Sequence, residues 1–228
     1  MALEVLYEDN HIIIVNKKSG DIVQADITQD EPLTEPVKRY LKEKYNKPGE
    51  VFLGVVHRID RPVSGVVVFA RTSKALSRMT NLFRTRDVKK TYWAVVKNKP
   101  EVNTATLIHY HQKDEARKRA KLFNKEVAHS KICELEYKYL TSSDKYHLLE
   151  VYPTTGRFHQ IRAQLSKIGS PIKGDLKYGF ERPNENASIH LHARSIEFIH
   201  PISMKEISII APVPKDDVIW QYFEKVKA

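Results

Sequence analysis

The chain has 228 residues, 41% of them hydrophobic and 29% charged, which is enough for a substantial core and ordinary for a globular protein. Lys and Arg number 38 against 28 Asp and Glu, a formal net charge of +10, and such a surplus favours a polyanionic partner because each phosphate neutralised releases a counterion. A single cysteine, Cys133, excludes an internal disulfide and a cysteine-cluster zinc site, and no apolar run approaches the ~20 residues that span a bilayer.

Leu3, Val5 and Tyr7 alternate with polar residues, and the apolar run at 12–15 follows an Asp-Asn turn, which predicts a hairpin. Thr34 is placed to cap a helix carrying Val37, Tyr40 and Leu41 on one face, with Pro36 in its first turn. Apolar stretches at 51–56 and 66–70 flank the polar segment HRIDRPVSG at 57–65, which reads as two strands joined by a tight loop. Ser73 is expected to cap a helix with the stripe Leu76, Met79, Leu82 and Phe83.

Strands are predicted at 91–97, around Cys133, Leu135, Tyr137 and Tyr139, and at 147–152. After Gly156 the period becomes helical, with Phe158, Ile161, Leu165 and Ile168 on one face and Gly169 as the stop. Late strands at 189–199 and 206–211 precede a closing helix at 216–226. No repeat, low-complexity tract or linker interrupts the chain. The expectation is one α+β domain over 1–228, mixed in composition, with a largely antiparallel central sheet and flanking helices.

Several side chains stand out. Asp60 lies in the loop between two apolar strands with Arg58 and Arg61 close by, and flanking guanidinium groups favour a carboxylate; a turn aspartate bonding its own backbone is the structural alternative. Arg162 falls on the apolar side of its helix, where a buried guanidinium needs a carboxylate, unless it reaches out along the edge of the stripe. Arg157, at the expected helix start, is free to meet phosphate. Tyr92 follows Lys89 and Lys90 in a strand, and a basic pair beside an aromatic suits phosphate pairing with base stacking, although strand aromatics commonly pack in cores. The His109-x-His111 and His190-x-His192 pairs share strand faces at metal-binding spacing but lack a placed carboxylate or cysteine, so no metal site is expected. The run at 117–121 is basic, a solvated loop or a phosphate contact.

These pieces together resemble the RluA-type RNA pseudouridine synthases. HRIDRPVSGVVVFART (57–72) is similar to the family's signature around its catalytic aspartate, KKTYWAVV (89–96) to its tyrosine motif, and TTGRFHQIRAQLSKIGSPIKGD (154–175) to its third motif. LYEDNHIIIVNKKSGDIV (6–23) and LHARSIEF (191–198) fit as well, so the resemblance covers nearly the whole chain in order. It implies Asp60 as the catalytic carboxylate, Arg162 as the arginine that pairs with it, and Tyr92 as the tyrosine that stacks on the target base. Arg58, His57, Arg61, Arg157, Ile161 and Lys90 are the implied substrate-binding residues.

The implied reaction breaks the N1–C1′ bond of uridine, turns the base and rejoins it through C5. No atom is gained or lost, so neither a metal nor an organic cofactor is expected. The implied partner is RNA, as tRNA, rRNA or both, bound by a cytoplasmic monomer that carries no S4 module. Ile59 stands where Leu is usual, Val63 where Thr is usual and Gln164 where His is common. A non-catalytic RNA-binding protein and a glycosidic hydrolase remain as alternatives; two-carboxylate hydrolysis would require a second acid, and Asp175 is the one motif carboxylate on offer.

Overall fold

The structure is a computed structural model that describes residues 3–25, 27 and 29–227. The chain forms two compact units, each discontinuous in sequence: Met1–Lys89 with Ala193–Pro214, and Lys90–His192 with Lys215–Ala228.

In the first unit, β1 (Val5–Glu8) and β2 (Ile12–Lys17) form the expected hairpin, and β2 pairs antiparallel with β4 (Ser64–Ala70). The short β3 (Gly54–Val55) also pairs with β4, so only a fraction of the apolar stretch at 51–56 is strand. On its other side β4 neighbours β10 (Leu191–Ile199), which pairs antiparallel with β11 (Glu206–Ile210).

The unbroken apolar runs of β2 and β4 have a simple cause, since both faces of this sheet are covered. Ile12, Ile14, Val66, Val68 and Ala70 pack against Ala75 and Met79 of helix α2 (Ser73–Thr85). Ile13, Val15, Val67 and Phe69 meet Val37 and Leu41 of helix α1 (Thr34–Lys44) on the opposite side. Period-2 alternation makes each strand serve both layers. Gly65, at φ +115, lies where a Cβ would come within 2.3 Å of the Ala193 carbonyl oxygen, so no side chain fits between β4 and β10 there.

Both helix starts differ from expectation by one residue. Thr34 is the first helical residue and Leu33 the cap, with no side-chain capping bond. Thr72 rather than Ser73 caps α2, because Thr72 is the last residue with extended backbone and its hydroxyl accepts from the Ala75 amide at 3.2 Å.

The second unit is an antiparallel sheet in the order β5-β9-β8-β6-β7: β5 (Lys89–Val96), β6 (Thr104–Asp114), β7 (Arg119–Phe123), β8 (Lys131–Ser142) and β9 (His147–Pro153). Helix α3 (Gln160–Lys167) packs near β6 and β7, with Ala163 meeting Ala120 and Tyr178. It starts later than the helical period suggested, leaving Phe158 and Arg157 ahead of its first turn. A 3₁₀ turn (Leu176–Tyr178) and helix α4 (Val218–Lys227) complete the unit. The α+β class and the largely antiparallel strand pairing expected from the sequence are therefore present. No described helix is long and apolar enough to cross a membrane.

Candidate active site

In the first unit, the segment carrying Asp60 is held by its backbone. The Val63 amide donates to the Asp60 carbonyl at 3.0 Å, closing a turn over Arg61 and Pro62. The carbonyls of that turn are then gripped from the stretch after β2. Gly20 N–H and the Lys17 ammonium donate to the Arg61 carbonyl at 2.9 and 3.1 Å, and the Ser19 hydroxyl donates to that of Pro62 at 3.0 Å. Val63 is buried, so the slot where a hydroxyl is usual is filled by packing.

Lys17 was not singled out from the sequence. It sits on the same face of β2 as Ile13 and Val15, and its side chain is 1% exposed. Burial pushes its ammonium down to about 8, while the carboxylates of Asp21 and Asp60 oppose that fall. Its other bond goes to the Lys18 carbonyl at 2.8 Å. A cation is thus buried beneath the Asp60 turn and tied to its backbone.

The other residues of this segment have distinct surroundings. His57 is half-buried, its ring stacked on Phe83 at 4.7 Å, and its Nε2 accepts from the Val68 amide at 3.1 Å. Arg58 is exposed. Arg61, also exposed, pairs with Asp30 at 2.7 Å, an arrangement worth little in water.

In the second unit, Arg162 is 5% exposed, in agreement with its expected core-facing position. Within this unit its guanidinium forks onto Asp175, Nε to Oδ2 at 2.7 Å and Nη2 to Oδ1 at 2.9 Å. Asp175 is 1% exposed. The need for a carboxylate was legible, but this partner, thirteen positions further on, was not. Gly174 makes the turn possible: at φ +84 it has no room for a Cβ, which would sit 2.7 Å from the Asn184 side chain.

The loop before α3 explains its own motif. Gln160 Oε1 accepts from the Thr155 hydroxyl at 2.7 Å and the Arg157 amide at 3.0 Å, while its Nε2 donates to the Glu134 carbonyl. His159 takes the left-handed conformation at φ 51, stacks on Phe158, and sits 3.0 Å from the Tyr178 hydroxyl. That hydroxyl also accepts from the Ala120 amide at 2.7 Å, which ties the His159 loop to β7. Burial, with Arg162 and Lys177 nearby, pushes the imidazole down to about 3, and it is neutral at physiological pH. Arg162 also lies over the Tyr178 ring at 5.2 Å.

Tyr92 is half-buried and faces Val151 across the β5–β9 pair, whereas Trp93, on the opposite face, is buried and donates to Glu150. Lys90 is half-buried, Ile161 is in the core, and Arg157 donates to the Ile132 carbonyl at 3.2 Å.

The histidine pairs are engaged in packing and hydrogen bonds. His109 Nδ1 meets the Gln164 amide and His111 Nε2 the Phe158 carbonyl. His190 stacks on Trp220 and bonds Asp217, and His192 packs against the same indole. Among the described residues no three His, Cys, Asp or Glu side chains gather as metal ligands would.

The arrangement offers a braced carboxylate in one unit, and a buried, carboxylate-anchored guanidinium and a part-exposed tyrosine in the other. Comparison with known proteins gives the class. A family model described as RNA pseudouridylate synthase matches residues 11–167, a stretch that includes Asp60, Tyr92 and Arg162. The chain belongs to this family, in its RluA branch, and is an RNA pseudouridine synthase, an isomerase of RNA. Among its relatives are the tRNA pseudouridine synthase C of Vibrio cholerae serotype O1, 31% identical over 96% of this chain and 93% of that protein, and that of Haemophilus influenzae, 33% identical over 96% and 95%. The ribosomal large subunit pseudouridine synthase C of Vibrio cholerae is 30% identical over 92% of this chain and 65% of the relative. The solved human RNA pseudouridylate synthase domain containing 4 shares the fold at a TM-score of 0.79 with 22% identity, over 96% of this chain and 92% of its own.

Proposed function

We propose that the chain converts a specific uridine of tRNA to pseudouridine, with Asp60 as the catalytic carboxylate. The observation that carries this reading is a family match that runs through Asp60, Tyr92 and Arg162 in one piece. The preference for tRNA over rRNA rests on the relatives: the tRNA enzymes of Vibrio cholerae and Haemophilus influenzae are 31% and 33% identical over 96% of this chain, and the rRNA enzyme of Vibrio cholerae 30% over 92%.

In this mechanism the Asp60 carboxylate assists departure of uracil from C1′. The freed base turns, C5 bonds to C1′, and the C5 proton is lost while N1 regains one. Tyr92 stacks on the base and its phenol stands ready for the proton at C5. Arg162, held in place by its fork to Asp175, is the arginine assigned to the catalytic carboxylate. Arg58 holds the everted nucleotide, and Arg61, Arg157 and Lys90 meet flanking phosphates, with His57 and Ile161 shaping the binding surface from within. Eversion costs a few kcal/mol of unstacking, less for an unpaired loop uridine, and the phosphate contacts offset it. Because the reaction conserves every atom, it calls for no redox or group-carrying cofactor. The two units act as one catalytic domain in a cytoplasmic monomer.

The test is mass-spectrometric mapping of pseudouridine in unmodified tRNA transcripts and in ribosomal RNA incubated with the purified protein. Pseudouridine at one tRNA position is the expected result. Free uracil would indicate a hydrolase, product in rRNA alone would reassign the substrate, and no product with retained binding would leave an RNA-binding protein.

A further inference from the structure

Helix α2 differs from α1 in how its charges are answered. On α1, Lys38 pairs with Glu35, Arg39 with Glu31 and Lys44 with Glu8. On α2 the exposed face carries Lys74, Arg78 and Arg84, followed by Arg86, and the helix contains no acidic residue. Arg78 donates to the Pro201 carbonyl at 2.8 Å and Arg84 to the Asn81 side chain at 2.5 Å, both neutral acceptors. Among the described residues, none of these four cations is in an ion pair.

Beside this face runs a groove of about 640 Å³, lined by Arg78, Asn81, Leu82 and Arg84 on one side and Ile199 and Met204 on the other. Its far wall is a built turn. His200 is fully buried and its Nδ1 accepts from the Ile202 and Ser203 amides, and the Met204 amide closes onto the His200 carbonyl at 3.0 Å. That turn leaves Met204 69% exposed and Ile199 40% exposed, an apolar strip facing a basic one. The Asp60 segment touches the same helix. Phe83, next to Arg84, carries the His57 ring at 4.7 Å.

We propose that the α2 groove is a second RNA-binding surface, which takes an unpaired stretch of the substrate beyond the target uridine. Arg78 and Arg84 pair with its phosphates, and Met204 and Ile199 pack against its bases. Unanswered cations along one edge and exposed apolar side chains along the other are what a single strand needs, because its phosphates and bases point to opposite sides. This inference rests on the RNA reading above and adds a surface to it.

The experiment measures affinity for a pool of unmodified tRNA transcripts by filter binding over a salt series. Arg78→Gln/Arg84→Gln is compared with the parent and with Lys38→Gln/Arg39→Gln on the charge-balanced helix. Loss of two phosphate contacts is expected to weaken binding ~10-fold at moderate salt and to flatten the slope of log affinity against log salt by about 1.5, while the α1 variant matches the parent. Arg84→Gln alone, which gives up a bond to Asn81 within the same helix, is expected to show about half the slope change, and it decides the matter if the double variant proves unstable. Equal affinity and slope in parent and α2 variants would overturn the surface and leave the RNA reading standing. A parent that binds none of these transcripts would overturn both. Light scattering covers the other occupant: self-association lost in the double variant, with RNA affinity unchanged, would assign the groove to a second copy of the chain and overturn the proposal.

Discussion

Replacing Asp60 by asparagine keeps the size of the side chain and removes its charge, and an amide is a very poor nucleophile. The turn that presents it is held through backbone carbonyls by Lys17, Ser19 and Gly20, and the Ser19 and Gly20 bonds do not depend on the carboxylate, while Lys17 keeps Asp21 as a counter-charge. Asp60→Asn is therefore expected to fold and bind RNA while pseudouridine formation falls below detection; turnover near the parent rate would remove Asp60 from the mechanism. Arg162 and Asp175 call for a different experiment. Each is buried, so Arg162→Met or Asp175→Leu alone strands a charge and should cost ~3–5 kcal/mol in urea denaturation. The double variant replaces the pair by apolar groups and should recover much of that loss without recovering activity. Additive losses in the double variant would show that the two side chains stabilise the fold independently. The guanidinium's need for a carboxylate was readable from a buried arginine. Its identity was not, because the fork joins a helix to a glycine turn and no local period links the two.

At the scale of elements, most of the sequence pattern carried through, and its failures have physical causes. The runs at 12–15 and 66–70 were read as strands from β-branching and length, and two helices covering opposite sheet faces explain why they do not alternate. The β6–β7 hairpin was read only at its histidines. Its outer face is solvated, with Arg119 and Lys121 exposed, and within the basic run at 117–121 Ala120 is the one buried residue, so the run resembles a loop. The start of α2 was displaced by one because Thr72 and Ser73 satisfy the same pattern, whereas α1 takes Thr34 into its first turn and leaves Leu33, which has no side-chain acceptor, at the cap. Chemical denaturation separates the two positions at α2. Thr72→Ala should cost ~1 kcal/mol, the usual worth of a capping bond, whereas Ser73→Ala should stay within about 0.5 kcal/mol of the parent. The reverse order would return the cap to Ser73.

For the whole molecule, two buried bases that give up their protons early tilt stability toward high pH. His159 takes up a proton in the folded chain only near pH 3, against 6.5 for the ordinary group, because it is buried beside Arg162. Between those values the unfolded chain binds the proton first, so stability falls as pH drops through this window. Lys17, lowered from 10.5 to about 8, acts in the same sense at the alkaline end: the unfolded chain holds its proton longer, and stability gains up to about 3 kcal/mol as pH rises from 8 to 10.5. Urea titrations across pH should show both slopes in the parent. His159→Asn, which suits the left-handed backbone, should flatten the acid limb, and Lys17→Met the alkaline one. Unchanged slopes would mean that neither group titrates as its burial requires.

The discontinuity of the units has a consequence in time. The ribosome completes residues 1–89 long before 193–214, yet β10, the neighbour of β4, lies mostly in the later segment. At synthesis rates of about 5–20 residues per second, the intervening hundred residues take roughly 5–20 s to emerge. Throughout that interval Ser64–Ala70, an entirely apolar strand after its first residue, lacks its β10 neighbour, and its edge stands open short of the end that β3 and His57 cover. Such an edge invites pairing with other nascent chains. Asp60 is thus encoded next to a stretch of this polypeptide that is open to misassociation during its synthesis, and chaperone occupancy of the growing chain should peak while residues 90–192 are being made.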